Sequence, residues 1–372
     1  GNLTLASGGT HSGDFSIAAG SVLQFNGGTF TFNSGSETSG PGDIAFTNGT
    51  ATYNSGSTYM LSGDTGINGG DAIFNINAVT NTLTHASGSF GGGSSGNITT
   101  STWMPTSGVT LNDISLILAA NGNNTLTSTI INSAGTSSIT NQGTLTLDNS
   151  TINPALSSLG VLNIKTGSSN TIAGTLNIIG GTLTGGGTLV GDVNNSAGIL
   201  ATGDSPGTLT ITGNYIQGAG GTFLVELAGA ATAGTDYDLL SVSGTATLDG
   251  TLDIQLFGAY TGIDGDQFDI ISSTDVINDF STVNAPAGLL ITASADTPTT
   301  GTYQLEIPPA PVVVTPTPVP TPAPTPPRDE ELIDIGTAQL IVLNDYRDRT
   351  VVQVVESDTS GGDEEERELV CR

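Results

Sequence analysis

The sequence predicts an all-β fold of the solenoid kind, a parallel β-helix. Three observations lead there. First, Thr and Ser supply 57 and 36 of the 372 residues and Gly another 53, while charged residues are only 11 %. Gly, Ser, Thr and Asn are poor helix formers and Thr and Val suit strands, which excludes a helical bundle and disfavours a doubly wound α/β fold. Second, apolar residues alternate with polar ones in runs of four to six, so each run presents one face inward and one outward. Third, dense Gly-Gly and Asn-Gly turns separate the runs, which recur at short intervals. A β-sandwich also shows closely spaced strands, but its core needs a recurring aromatic landmark. The chain has a single Trp, Trp103.

Residues 1–214 read as the repeat region. Thr29-Phe-Thr-Phe32, Gly143-Thr-Leu-Thr-Leu-Asp148, Gly160-Val-Leu-Asn-Ile164, Gly174-Thr-Leu-Asn-Ile-Ile179, Gly187-Thr-Leu-Val190 and Gly207-Thr-Leu-Thr-Ile211 are its clearest strands. In each, Leu, Ile, Val or Phe points inward and Thr or Asn outward. The steps from Leu145 to Leu162, Leu176 and Leu189 are 17, 14 and 13 residues. Residues 215–307 carry longer strands and more aromatics, as in Thr222-Phe-Leu-Val-Glu-Leu227 and Tyr237-Asp-Leu-Leu-Ser-Val242. They are expected to form the last coils and a cap, because an open solenoid end exposes core and strand edges. Residues 308–327 hold ten of the 16 prolines and read as a polyproline spacer of about 60 Å. In the acidic tail, 328–372, Ala338-Gln-Leu-Ile-Val-Leu343 and Thr350-Val-Val-Gln-Val-Val-Glu356 suit a short hairpin, and Asp363-Glu-Glu-Glu366 a disordered run.

The net charge is −28, of which −20 lies in residues 1–327, where Lys165 is the only basic side chain. Such a chain repels phosphate, so nucleic-acid binding is excluded and docking on anionic lipid disfavoured. No apolar run approaches the ~20 residues of a membrane span. The chain starts at Gly1 without Met, which suggests that a leader or upstream portion is missing. The single cysteine, Cys371, forms no internal disulfide and is a candidate for anchoring or cross-linking between chains.

Few residues suggest catalysis. Gly203-Asp-Ser-Pro-Gly207 matches the nucleophile-elbow pattern, but Pro206 removes the N–H that follows Ser205, and a strand comes next where the elbow needs a helix. The only histidines, His11 and His85, lie far upstream, and a solenoid keeps distant coils apart. A β-helix lyase needs Arg or Lys, leaving only Lys165. A glycoside hydrolase needs two carboxylates, and Asp236 with Asp238 falls on one side of a strand. Asp264, Asp266 and Asp269 form an oxygen-rich cluster and are the candidates for a metal, Ca²⁺. Thr-x-Thr segments suggest an ice-binding face. That requires Thr at one azimuth of many equal turns, and the 17, 14 and 13 spacings argue against it. No catalytic or cofactor-binding residue is assigned, and a non-enzymatic role is expected.

From Gly185 onward a pattern emerges. Gly186-Gly-Thr-Leu-Val-Gly-Asp-Val193 precedes Gly198-Ile-Leu-Ala-Thr-Gly-Asp-Ser-Pro-Gly-Thr-Leu-Thr-Ile-Thr-Gly-Asn-Tyr-Ile-Gln217, and Gly265-Asp-Gln-Phe-Asp-Ile-Ile271 follows. This resembles the repeats of bacterial autotransporter passenger domains and of filamentous-haemagglutinin-like exoproteins of two-partner secretion. The resemblance covers about 185–307. It implies a right-handed β-helix exported through an outer-membrane translocator, then secreted or displayed on the bacterial surface, commonly as an adhesin for a host or microbial glycan or protein. No C-terminal translocator barrel follows in this sequence, which tilts the resemblance toward a two-partner-secreted protein, a fragment, or a protein anchored by its tail. The alternatives are a self-assembling extracellular fibre and a polysaccharide hydrolase on the same scaffold.

Overall fold

A computed structural model describes residues 1–93, 96–295, 301–309, 339–345 and 349–355. The chain divides into two compact units, Gly1–Pro311 and Val312–Arg372. In the second, Gln339–Asp345 pairs antiparallel with Arg349–Val355, the hairpin expected from the alternation. Most of the Pro-rich spacer, the acidic run and Cys371 lie outside the described residues.

The first unit is a parallel β-solenoid of about 11 turns, with no helix among the described residues. A full turn has three strands. One turn is Ser169–Ile172, Leu176–Ile178 and Thr182–Gly185. Each pairs in parallel with its counterpart in the next turn, Thr188–Val190, Val193–Asn195 and Ile199–Thr202. The turns thus stack as a three-sided prism, and backbone N–H and C=O groups are satisfied between turns. Eight strands, from Asn123–Thr127 to Thr282–Asn284, form one side as a separate sheet.

The sequence spacing is corrected here. Leu145 does pair with Leu162, but Leu162 then pairs with Leu183, 21 residues on. Leu176 sits on a second side, paired with Val193, and Leu189 on the third, paired with Ile211. The unequal 17, 14 and 13 steps therefore come from walking round the prism. On one side the register is regular even where turns differ in length. Phe223 and Leu252 are 29 residues apart, yet their strands pair over six consecutive residues, because corner loops absorb the excess.

Corners need backbone that only glycine adopts without strain. Gly28 and Gly49 stack in successive turns with φ of 75° and 76°. A Cβ on Gly49 would lie 2.3 Å from the Gly28 carbonyl oxygen.

The interior has three zones. Aromatic rings fill the N-terminal turns. Phe32, Tyr53 and Phe74 stack with centroid separations of 4.2 and 5.3 Å, and Phe25 stacks on Phe46 at 5.3 Å. Between Trp103 and Tyr215 there is no Phe, Tyr or Trp. There the core is aliphatic, with Leu145, Leu162, Leu183 and Leu200 buried in one column. Aromatics return with Tyr215, Phe223 and Phe268. The C-terminal end is capped. Thr302–Glu306 lies antiparallel between Gln267–Ser272 and Thr292–Ala295, burying Tyr303 and Leu305.

Candidate functional site

The alternation places Thr and other uncharged residues outward in rows. On the eight-stranded side, one row runs Thr144, Val161, Thr182, Ile199, Thr222 and Thr251, each paired with the next. A second row lies two residues on, with Thr146, Asn163, Thr184 and Ala201 in register. No bulge interrupts this sheet between Asn123 and Asn284. The threonine hydroxyls of these rows have no hydrogen-bond partner within the described residues. Other threonines are engaged, as where Thr65 donates to Thr80 at 2.8 Å or Thr100 to the Asn81 carbonyl at 2.9 Å.

Charged groups gather at the corners, where many carboxylates link one turn to the next. The Asp43 carboxylate accepts the Asp64 N–H at 3.0 Å, and that of Asp64 accepts the Thr82 N–H at 3.1 Å and the Asn81 amide at 3.0 Å. Asp71 holds the Ser89 N–H, Asp113 that of Thr136 and Asp192 that of Asn214 in the same way. Asp64→Ala removes two accepted bonds at an exposed corner. It is expected to lower stability by about 1–2 kcal/mol, with Asp64→Asn losing less, as read by chemical denaturation.

The catalytic candidates are dispersed. Ser205 sits in a corner with φ 61°, beside Asp204, which accepts the Thr166 hydroxyl at 2.8 Å. His85 is buried in a different turn. Its Nε2 lies 3.3 Å from the Gly88 carbonyl oxygen, and burial holds its pKa below 6.5. His11 stacks on Phe30 and Phe32 at the N-terminal end. Lys165 donates to Asp148 at 2.6 Å, bridging two turns.

Asp236 and Asp238 sit in different surroundings. Asp238 is 1 % exposed, and both its oxygens are engaged by the backbone. Gly207 donates to Oδ1 at 2.7 Å and Glu226 to Oδ2 at 2.9 Å. Burial nonetheless pushes its pKa up to about 6, against the lowering effect of these donors. Asp236 is partly exposed, in the segment that leads into this clamp.

The aspartates considered for Ca²⁺ are engaged elsewhere. Asp266 accepts the Tyr260 hydroxyl and Asp269 the Gln304 amide at 2.9 Å, while Asp264 has a partner of its own. Among the described residues, no group of three or more His, Cys, Asp or Glu is placed to hold a metal. An open depression of about 340 Å³ at the N-terminal end is lined by Leu3, Phe15, Ile17 and Leu23, with no carboxylate or imidazole. No helix among the described residues is long and apolar enough to cross a membrane. No protein-family model matches the chain, and no curated protein matches it either.

Proposed function

We propose that the chain is a non-enzymatic bacterial solenoid, secreted or displayed at the cell surface, that adheres through its extended flank. The eight-stranded side supports this reading best: a continuous, charge-poor surface whose hydroxyls are free for a partner. Binding there comes from area and from repetition of weak contacts along the rows. The resemblance of 185–307 to autotransporter and two-partner-secretion repeats adds export through an outer-membrane translocator, and a glycan or protein on a host or microbial surface as the ligand.

The test incubates fluorescently labelled full chain with intact bacterial and epithelial cells and with an oligosaccharide array. Saturable binding that falls at least tenfold in the Thr182→Asp, Thr222→Asp double variant is expected. Lack of saturable binding overturns adhesion. Release of reducing sugar from polysaccharides by the purified chain overturns the non-enzymatic reading in favour of a hydrolase. Long regular fibres in negative stain without cell binding assign the role to self-assembly.

A further inference from the structure

We infer that the threonine face of the eight-stranded side binds ice, an inference that rests on reading the flank as the functional surface and names the surface it meets. The regular register carries it. Strands in one sheet are about 4.7–4.9 Å apart, and outward residues two apart along a strand are separated by roughly 6.6 Å. Thr144, Thr182 and Thr222 stand on every second strand of the first row, about 9.5 Å apart, and Thr146 and Thr184 do so in the second, which continues through Asn163 and Ala201, so the two rows form a two-dimensional net of hydroxyl and methyl groups. Where Thr is replaced in the first row, Val161 and Ile199 stand in, 39 % and 41 % exposed, and keep the β-branched shape.

β-Branched side chains on a strand are stiff at χ1, so the net is ordered before any ligand arrives. Each threonine offers one O–H donor and two acceptor lone pairs. The chain itself uses none of these in the two rows. Water held on such a net takes up the spacing of the sheet.

Charge narrows the partner. The chain carries −28, yet the net from Thr144 to Thr222 has no ionised side chain. Asp148 and Lys165 at its border are paired with each other. A neutral hydrogen-bonding lattice fits such a net, whereas anionic polymers are repelled by the rest of the chain. Most of the aromatic rings that would stack on sugar faces are inside the solenoid, as with Phe32, Tyr53 and Phe74, and the exposed Phe257 is not in either row. A second copy laid on the net is disfavoured by Glu226 and Asp253 at its far end.

Full-length chain, fluorescently labelled, is frozen slowly into a growing ice front, and crystal shape and thermal hysteresis are followed by nanolitre osmometry. Enrichment in the ice and faceted crystals are expected. The Thr182→Tyr, Thr222→Tyr double variant should lose at least tenfold in hysteresis. Thr140→Tyr, on another side of the prism, should keep it. Thr182→Ser with Thr222→Ser, which removes only methyls, gives an intermediate loss if the Tyr variant misfolds. Exclusion of the wild type from ice overturns the inference, as does equal loss in Thr140→Tyr. A dimer in sedimentation that the Tyr pair dissolves, without ice shaping, also overturns it and gives the face to a second copy. If ice is refused while the Thr182→Asp, Thr222→Asp variant loses cell binding, adhesion stands and only this inference falls. If ice is bound and cells are not, adhesion to cells falls instead.

Discussion

Phe74→Ala will destabilise the N-terminal turns by about 3–5 kcal/mol and leave the C-terminal turns nearly unchanged. Phe74 is fully buried. It stacks on Tyr53 with centroids 5.3 Å apart and meets Tyr59, Phe46 and Phe90 edge-on at 5.0, 6.3 and 6.2 Å. Truncation removes the transfer energy of the ring and leaves a cavity whose walls are other rings, held in register by the sheets on each side. Those walls cannot collapse without shifting strands, so the upper part of the range applies.

The effect stays local because a solenoid turn touches only its neighbours, and stability is close to a sum over turns and their interfaces. Hydrogen exchange should show amides of residues 43–93 losing about three orders of magnitude in protection. Amides of residues 176–217, in the aliphatic and C-terminal turns, should change little. Uniform loss along the chain would mean that the solenoid unfolds as one cooperative block. A loss below about 1 kcal/mol would mean that the aromatic column is not what holds these turns.

Much of this architecture was legible in the sequence, and the gaps have physical causes. Alternation placed Leu145, Leu162 and Phe223 inside and Thr144, Thr182 and Thr222 outside, as found. The number of sides was not legible, because all three use the same Gly-Thr-Leu phrase, so Leu145, Leu176 and Leu189 look equivalent and are not. One signal was available and passed over. Phe32-Asn-Ser-Gly-Ser36 and Tyr53-Asn-Ser-Gly-Ser57 repeat at 21 residues, and Phe74-Asn75 continues the interval. That interval is the turn length at the N-terminal end, and it stacks Asn33, Asn54 and Asn75 in an amide ladder with bonds of 3.1 and 3.3 Å. The partners of Asp266 and Asp269, Tyr260 and Gln304, were not legible, because short-range spacing says nothing of them. Asp238 was legible as a carboxylate beside Asp236 but not as a buried clamp, because its donors come from positions 31 and 12 residues away.

That clamp gives the last expectation. Asp238 will make the C-terminal turns more stable in mild acid than at neutral pH. Its carboxyl has a pKa of about 6 when folded, against 3.8 for the unfolded chain. A raised folded value means that the contribution is fully present below 3.8 and is lost as pH rises through 6. The difference of about two pK units corresponds to roughly 3 kcal/mol, removed between pH 4 and 7. His85, in the strand Asn77–Ser87 of the N-terminal half, works against this. Burial lowers its pKa, so its contribution is present above 6.5 and lost as pH falls. The two are separated by where they act. Protection factors, taken relative to the intrinsic rate at each pH, should rise on acidification for amides near Gly207, Glu226 and Leu239 and fall for those near His85. Asp238→Asn cannot ionise, so its C-terminal turns should lose this pH slope. They should also be weaker than wild type at pH 4, because one amide face now meets an N–H in place of an acceptor. A slope that persists unchanged in Asp238→Asn would assign the pH dependence to general relief of the −28 charge. The clamp would then be a neutral structural feature across this range.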